Sequence, residues 1–126
     1  MTRERASRQQ HNTDLGRRGE DLACEHLTRV GHRILDRNWR CRSGEIDIVS
    51  MDRGMVVIVE VKTRTSHDFG HPFDAIDVRK LERLHRLGWE WCASHGCSGR
   101  PMRVDAVAVV VSREGLVGVE HLEGVR

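Results

Sequence analysis

Long apolar stretches are missing from this chain, and no run approaches the ~20 residues needed to span a bilayer, which excludes an ordinary membrane helix. Met1 to Asn12 is polar and carries Arg3, Arg5 and Arg8 with no hydrophobic segment behind them, so no secretory signal is read and a cytoplasmic protein is expected. No Cys-x-x-Cys pair occurs, and Cys24, Cys41, Cys92 and Cys97 fall at unrelated spacings. In a reducing compartment they are expected as free thiols, and a zinc site from Cys92, His95 and Cys97 lacks the regular spacing of tight structural sites. Aromatic residues are scarce, at 4%, so core packing has first claim on Trp39, Trp89 and Trp91 ahead of base stacking. Repeats, low-complexity tracts and a recognisable base-reading element are absent too.

What is present is 126 residues with 38% hydrophobic and 32% charged content, the profile of one globular domain. Residues 1–12 are expected to form a disordered basic arm ahead of a domain at 13–126. The net charge is only +2, but arginine is unevenly spread. Arg3, Arg5, Arg8, Arg17 and Arg18 crowd the start, and Arg37, Arg40 and Arg42 precede an acidic segment. A cationic rim around an anionic centre suits a phosphate backbone approaching a metal, whereas any one of these arginines is equally at home on a solvated surface.

Periodicity predicts a helix from Asp14 to Val30, capped by Thr13 or Asp14, with Leu15, Gly19, Leu22, Ala23, Leu27 and Val30 on one stripe and Gly31 as the stop. Glu20 sits at the rim of that stripe. Gly16 and Gly19 weaken the helix and point to close packing against a strand. Arg33 to Trp39 reads as a strand leading into an acidic hairpin, and together they make a three-strand meander. A polar loop from Thr63 to His71 precedes a second helix within Pro72 to His95, with Pro72 at its entrance or Asp77 as cap, and Val78, Leu81, Leu84, Gly88, Trp91 and Cys92 on one face. Met102 to Val111 reads as a buried central strand, parallel to the third strand by the crossover rule, and Leu116 to Leu122 as a weaker last strand.

The informative segment is the hairpin, Gly44-Glu45-Ile46-Asp47-Ile48-Val49 followed by Val56-Val57-Ile58-Val59-Glu60-Val61-Lys62. Acids and a lysine set into β-branched runs are costly there. Period-two alternation puts Glu60 and Lys62 on one side, and an even-length turn brings Asp47 to the same side. A two-residue loop at Arg53-Gly54 pairs 47 with 60, and a four-residue loop Met51 to Gly54 pairs 47 with 58. A three-residue loop Asp52-Arg53-Gly54 sends Asp47 to the wrong face unless a bulge corrects it.

Asp47 and Glu60, with the carbonyl of Val61, offer hard oxygen ligands to Mg²⁺ or Mn²⁺, and Lys62 could contact an attacking water and a scissile phosphate. The competing reading is an exposed Glu-x-Lys strand pair. Glu20 could join the cluster or only serve a helix dipole. Lys80, at the edge of the second helix's apolar face, either reaches phosphate or lays its stem over the core. His67 and His71 could touch a leaving group or metal, although loop histidines are more often solvated.

Taken together, Gly19-Glu20, Asn38-Trp39-Arg40, Gly44-Glu45-Ile46-Asp47, Val59-Glu60-Val61-Lys62-Thr63-Arg64, Phe69-Gly70, Lys80 and Arg103-Val104-Asp105 resemble the motifs of the YraN-like family. That bacterial family is largely uncharacterised and is placed in the PD-(D/E)xK endonuclease-like superfamily, beside archaeal Holliday-junction resolvases. The resemblance spans Asp14 to Leu122. It implies a restriction-endonuclease-like α/β core of helix, three-strand meander, helix and strand, with a mixed sheet and an extra C-terminal strand. It makes Asp47 the motif aspartate, Glu60 the second acid, Lys62 the lysine and Glu20 the helical glutamate of resolvase-like members. Ile46 stands where the superfamily's name has proline, a change that removes no ligand.

The leading expectation is a Mg²⁺- or Mn²⁺-dependent nuclease acting on DNA, branched or damaged, with Arg37, Arg40, Arg42, Arg64 and Lys80 contacting nucleic acid. The alternative is a nucleic-acid-binding module or complex subunit without catalysis, and a third reading is an interaction protein whose acids are surface residues. A homodimer is expected only by analogy with resolvases.

Overall fold

The computed structural model describes residues 3–65, 76–112, 114–115 and 117–125, with side chains from residue 14 onward. Its elements are α1 (Arg3–Arg29), β1 (Arg33–Cys41), β2 (Gly44–Asp52), β3 (Met55–Thr65), α2 (Val78–Ser94), β4 (Met102–Val111) and β5 (Val117–Leu122). The expectations attached to His67, Phe69-Gly70, His71 and Pro72 fall outside the described residues.

The five strands form one sheet in the order β1-β2-β3-β4-β5. β3 and β4 are parallel and every other neighbouring pair is antiparallel. This is the mixed α/β architecture expected of a restriction-endonuclease-like core. The parallel pair follows from α2, which supplies the crossover that a tight turn cannot.

Helix α1 starts upstream of Thr13 and Asp14, so neither residue is its cap. Arg, Glu, Ala and Gln between Arg3 and Gln10 are helix formers with no Gly or Pro among them. Its end is a Schellman motif: Gly31 has φ 102°, His32 N–H donates to Leu27 O at 2.9 Å and Gly31 N–H to Thr28 O at 3.1 Å. Helix α2 is capped by Asp77, whose carboxylate accepts from Lys80 N–H at 2.9 Å.

Each helix covers one face of the sheet. Ala23 and Leu27 of α1 pack on Ile48, Val57, Val59, Val107 and Val109. Leu84, Leu87, Trp91 and Cys92 of α2 pack on Ile46, Val49, Val56, Ile58 and Val104. Burying each aliphatic side chain contributes about 1.5–3 kcal/mol, which sets the two layers. Two stripe assignments need correction, because Val30 is 50% and Val78 71% exposed; each sits at a helix end, past the reach of the sheet. Leu87, unassigned from the sequence, is buried in their place on α2. The four cysteines are free thiols, with Cys92 buried.

The hairpin turn is the two-residue one. Asp52 pairs with Met55, and Arg53 (φ 50°) and Gly54 (φ 79°) take the two left-handed positions of a type I′ turn. Pairing then runs from there to Ile48↔Val59, the last rung before Asp47 and Glu60. Beyond it β2 stays with β1 while β3 continues along β4 to Thr65↔Val111, so the two hairpin strands part at the acids.

Candidate metal centre and cleft

Strand β2 turns over where it leaves β3. Ile46 belongs to the α2-side core and Ile48 to the α1-side core, whereas a regular strand would keep residues two apart on one face. Between them lies Asp47. Across from it, between the pairs Arg37↔Ile48 and Trp39↔Ile46, Asn38 has φ 52°, a left-handed conformation that Asn tolerates better than most residues. This paired irregularity opens a cleft of about 780 Å³ lined by Glu20, Asn38, Arg40, Glu45, Asp47, Lys62, Thr63 and Arg64, with Arg17 at its α1 edge.

Asp47 is half-buried, and its Oδ2 accepts from Val61 N–H at 2.8 Å. Burial pushes its carboxyl up to about 7, and the negative charge of Glu60 adds to the rise against the Val61 hydrogen bond. Glu60 is buried. Its Oε1 lies 2.7 Å from Lys80 Nζ and 3.9 Å from Lys62 Nζ. This geometry follows from β3 alternation, since Val56 and Ile58 face α2 and Glu60 continues their row toward the helix that carries Lys80. Burial lowers the Lys62 ammonium pKa, and contact with Lys80 lowers it further, more than Glu60 raises it. Lys80 is also penalised by burial, but the Glu60 carboxylate outweighs that and leaves it raised.

Glu20 reaches the cleft from α1. With its amide nitrogen toward the helix, Asn38 donates to the two Glu20 carboxylate oxygens at 2.7 and 3.2 Å. Burial raises the Glu20 carboxyl pKa against that hydrogen bond. Glu20 is delivered there by its neighbour Gly19, on which a Cβ would sit against the Thr63 side chain, 2.8 Å from both Thr63 Cβ and Cγ2. Gly16 is different: among the described residues no atom lies within 4 Å of a Cβ built on it, so close packing against them does not explain it.

The arginines separate. Arg40 and Arg64 line the cleft. Arg64 Nε is buried without a hydrogen-bond partner among the described residues. Arg37 instead donates to Asp21 Oδ1 of α1 at 2.8 Å. Arg42 stands exposed in the β1–β2 turn, away from the cleft lining.

A family model described as "Uncharacterised protein family UPF0102" matches residues 19–109. The chain belongs to this family. The UPF0102 protein of Arthrobacter sp. strain FB24 is 56% identical over 111 residues, covering 88% of this chain and 94% of that protein. That of Paenarthrobacter aurescens strain TC1 is 51% identical, over 88% of this chain and 92% of its own length. That of Renibacterium salmoninarum is 50% identical, over 88% and 94%. The UPF0102 match therefore takes in Glu20, Asp47, Glu60, Lys62 and Lys80 together.

A second buried polar group in this UPF0102 chain was legible only as the fragment Arg103-Val104-Asp105. Asp105 is fully buried, and its Oδ1 accepts from Arg103 Nε at 2.9 Å and Gly124 N–H at 3.0 Å. Its Oδ2 accepts from Arg103 Nη2 at 3.1 Å and meets His121 Nε2 at 2.8 Å. Burial alone would raise this carboxyl, but those bonds hold it at about 2. Among the described residues, His32, Asp105 and His121, and His32, Asp52 and Glu123, bring ligand atoms within 4.8 Å of one another. The trio Glu20, Asp47 and Glu60 does not close that far. With both Asp105 oxygens taken by protein donors, the buried group is a clamp that ties β5 and the segment after it to β4. Among the described residues no helix is long and apolar enough to cross a membrane.

Proposed function

We propose that this UPF0102 protein is a nuclease of the PD-(D/E)xK type, hydrolysing phosphodiester bonds in DNA with Mg²⁺ or Mn²⁺. The observation that carries the reading is the meeting of Asp47 and Glu60 at the point where β2 and β3 part, with the Asp47 carboxyl pushed up by burial and by its neighbour's charge. Two neighbouring carboxylates taken out of water are unfavourable unless a cation or proton offsets them, and a raised carboxyl such as Asp47 lining a cleft is a functional signature.

The donor set fits a hard divalent ion. Asp47 and Glu60 would hold it, with the Val61 carbonyl as a third oxygen, and one or two carboxylates with substrate phosphate are usual for Mg²⁺. Glu60, which lies outside the residues lining the cleft, already attracts ammonium groups from Lys80 and Lys62, so positive charge is favoured at its carboxylate. A bound ion would supply Lewis acidity and ease deprotonation of water.

The chain's own residues divide the remaining work. Lys62, with its ammonium pKa lowered by burial and by Lys80, contacts the attacking water and the phosphate oxygen that gains charge. Arg64 Nε, buried at the cleft and without a hydrogen-bond partner among the described residues, is a donor that a non-bridging phosphate oxygen suits. Glu20, held by Asn38, orients water on the α1 side. Arg40 meets the flanking backbone. Water oxygen bonds to phosphorus as the bond to the leaving oxygen breaks.

The test is incubation with labelled linear, flapped and four-way DNA in Mg²⁺ and in Mn²⁺, with Asp47→Ala as control. Cutting that disappears in Asp47→Ala supports the reading. Salt-dependent binding without cutting supports the alternative, a binding module or subunit that uses the same cleft.

A further inference from the structure

We propose that the outward face of α2, Trp89 with Arg83 and Arg86, binds an unpaired nucleic-acid strand, stacking a base on the indole and holding phosphates on the guanidiniums. The catalytic end of the path rests on the nuclease reading; the stacking platform does not.

Trp89 is 60% exposed, on a helix whose other tryptophan, Trp91, is 3% exposed in the core. At about 100° per residue, Arg79, Arg83 and Arg86 form one stripe, and Trp89 follows Arg86 on its flank. All three arginines are exposed, and among the described residues none is held in an ion pair or hydrogen bond. Two grooves of about 510 Å³ border the indole, one with Ser43, Arg83 and Arg86 and the other with His85 and Arg86. The His85 ring lies 6.1 Å from that of Trp89 at 38°, widening the platform. Two acids share the face. Glu90 borders one groove with Arg83 and Arg86 while accepting from Cys41 Sγ at 3.3 Å and Ser43 Oγ at 3.2 Å, and Glu82 borders the other, so each groove holds one carboxylate against its arginines.

The groove and the cleft share the β1–β2 turn. Ser43 borders the groove, Arg40 and Glu45 line the cleft on either side of that turn, and exposed Arg42 lies between. A strand leaving the cleft over Arg42 arrives at Arg83, Arg86 and Trp89. An exposed indole ringed by Arg, His and Glu rather than aliphatic side chains matches a sequence-tolerant stacking site for single strands better than the apolar centre of a protein interface.

The experiment measures binding of a labelled oligothymidylate of about twenty nucleotides and of a blunt duplex in EDTA, for wild type, Trp89→Ala, Trp89→Phe and Arg83→Ala/Arg86→Ala. Trp89→Ala should weaken the single strand about ten-fold or more and leave duplex binding and melting temperature unchanged, Trp89→Phe should retain most affinity, and the double arginine variant should lower the salt slope. Unchanged single-strand affinity in Trp89→Ala overturns the proposal, as does a wild type that binds no single strand at low salt. If Trp89→Ala instead abolishes self-association in sedimentation and spares oligonucleotide binding, the face is an interface between copies and the proposal falls. Trp89-dependent binding without cleavage in Mg²⁺ or Mn²⁺ would sink the nuclease reading alone, and cleavage with Trp89-independent binding would sink only the strand site.

Discussion

Lys80 Nζ lies 2.7 Å from Glu60 Oε1 and Lys62 Nζ 3.9 Å from the same oxygen, so the helix lysine, not the strand lysine, is the direct counter-ion of the buried acid. A divalent ion at Glu60 has to displace that ammonium.

Lys80→Met should therefore cost the metal-free protein about 1–3 kcal/mol by stranding Glu60, and the loss should be recovered when Mn²⁺ binds. Thermal melts in EDTA and in millimolar Mn²⁺ check it. A larger metal-induced rise in Lys80→Met than in wild type is expected, and no rise in Glu60→Gln. Equal shifts in all three proteins would mean that Mn²⁺ does not use Glu60.

Asp47 links the cleft to pH. Its folded carboxyl sits at about 7 against an ordinary 3.8, so the native state binds the proton more tightly than the unfolded chain. The sign is destabilising: stability is greatest below about 3.8, falls as pH rises toward about 7, and the full penalty applies above. Asp47→Asn keeps an oxygen for Val61 N–H and removes the charge. It should be more stable than wild type at pH 8, by on the order of a few kcal/mol, with the gap closing by pH 4, while cleavage is lost. Asp105 has the opposite sign, since a carboxyl held at about 2 contributes stability above 3.8 that is lost as pH falls. Urea midpoints across pH 4 to 8 read the Asp47 window alone, because that of Asp105 lies below 3.8, and a gap for Asp47→Asn that does not vary with pH would contradict the buried repulsion.

The hairpin was legible because alternation and turn chemistry agree: Arg53-Gly54 takes the I′ positions, and the register it sets brings Asp47 level with Glu60. The parallel β4 and the Asp77 cap were legible for similar local reasons. The opening of the cleft was not. It depends on β2 turning over at Asp47 and on the left-handed Asn38, and single residues leaving a regular pattern carry no periodicity to read. Arg37 looked like rim charge because Asp21 is remote in sequence and one helix face away. The Asp105 clamp drew its partners from Gly124 and His121 through tertiary contact alone.

Lys62 and the arginines should differ in kind. Lys62→Ala should bind substrate nearly as wild type and cut slower by on the order of 10², because its contact is to the water and the charge developing on phosphate. Arg40→Ala and Arg64→Ala should weaken binding of every sequence alike, with Arg64→Ala showing the larger loss because its buried Nε has no hydrogen-bond partner among the described residues. Single-turnover rates at saturating enzyme distinguish these effects. If Lys62→Ala cuts at the wild-type rate in an assay where Asp47→Ala is inert, the lysine has no part in the chemical step.

Two glycines of α1 should respond to alanine with opposite signs. At Gly16 a Cβ meets nothing within 4 Å among the described residues, so Gly16→Ala gains helix propensity and should stabilise by up to about 1 kcal/mol. At Gly19 the same methyl collides with the Thr63 side chain, with Thr63 Cβ and Cγ2 both 2.8 Å away. Thr63 belongs to β3 between Lys62 and Arg64, so the clash cannot be relieved by a flexible side-chain end. Gly19→Ala should push α1 off the sheet, cost about 1–3 kcal/mol and carry Glu20 away from Asn38. Because the cause is one contact, Gly19→Ala combined with Thr63→Gly should lose less than the two single changes summed, a coupling of about 0.5–3 kcal/mol in a double-mutant cycle. Additive losses would show that Gly19 is needed for some reason other than the approach of helix to strand.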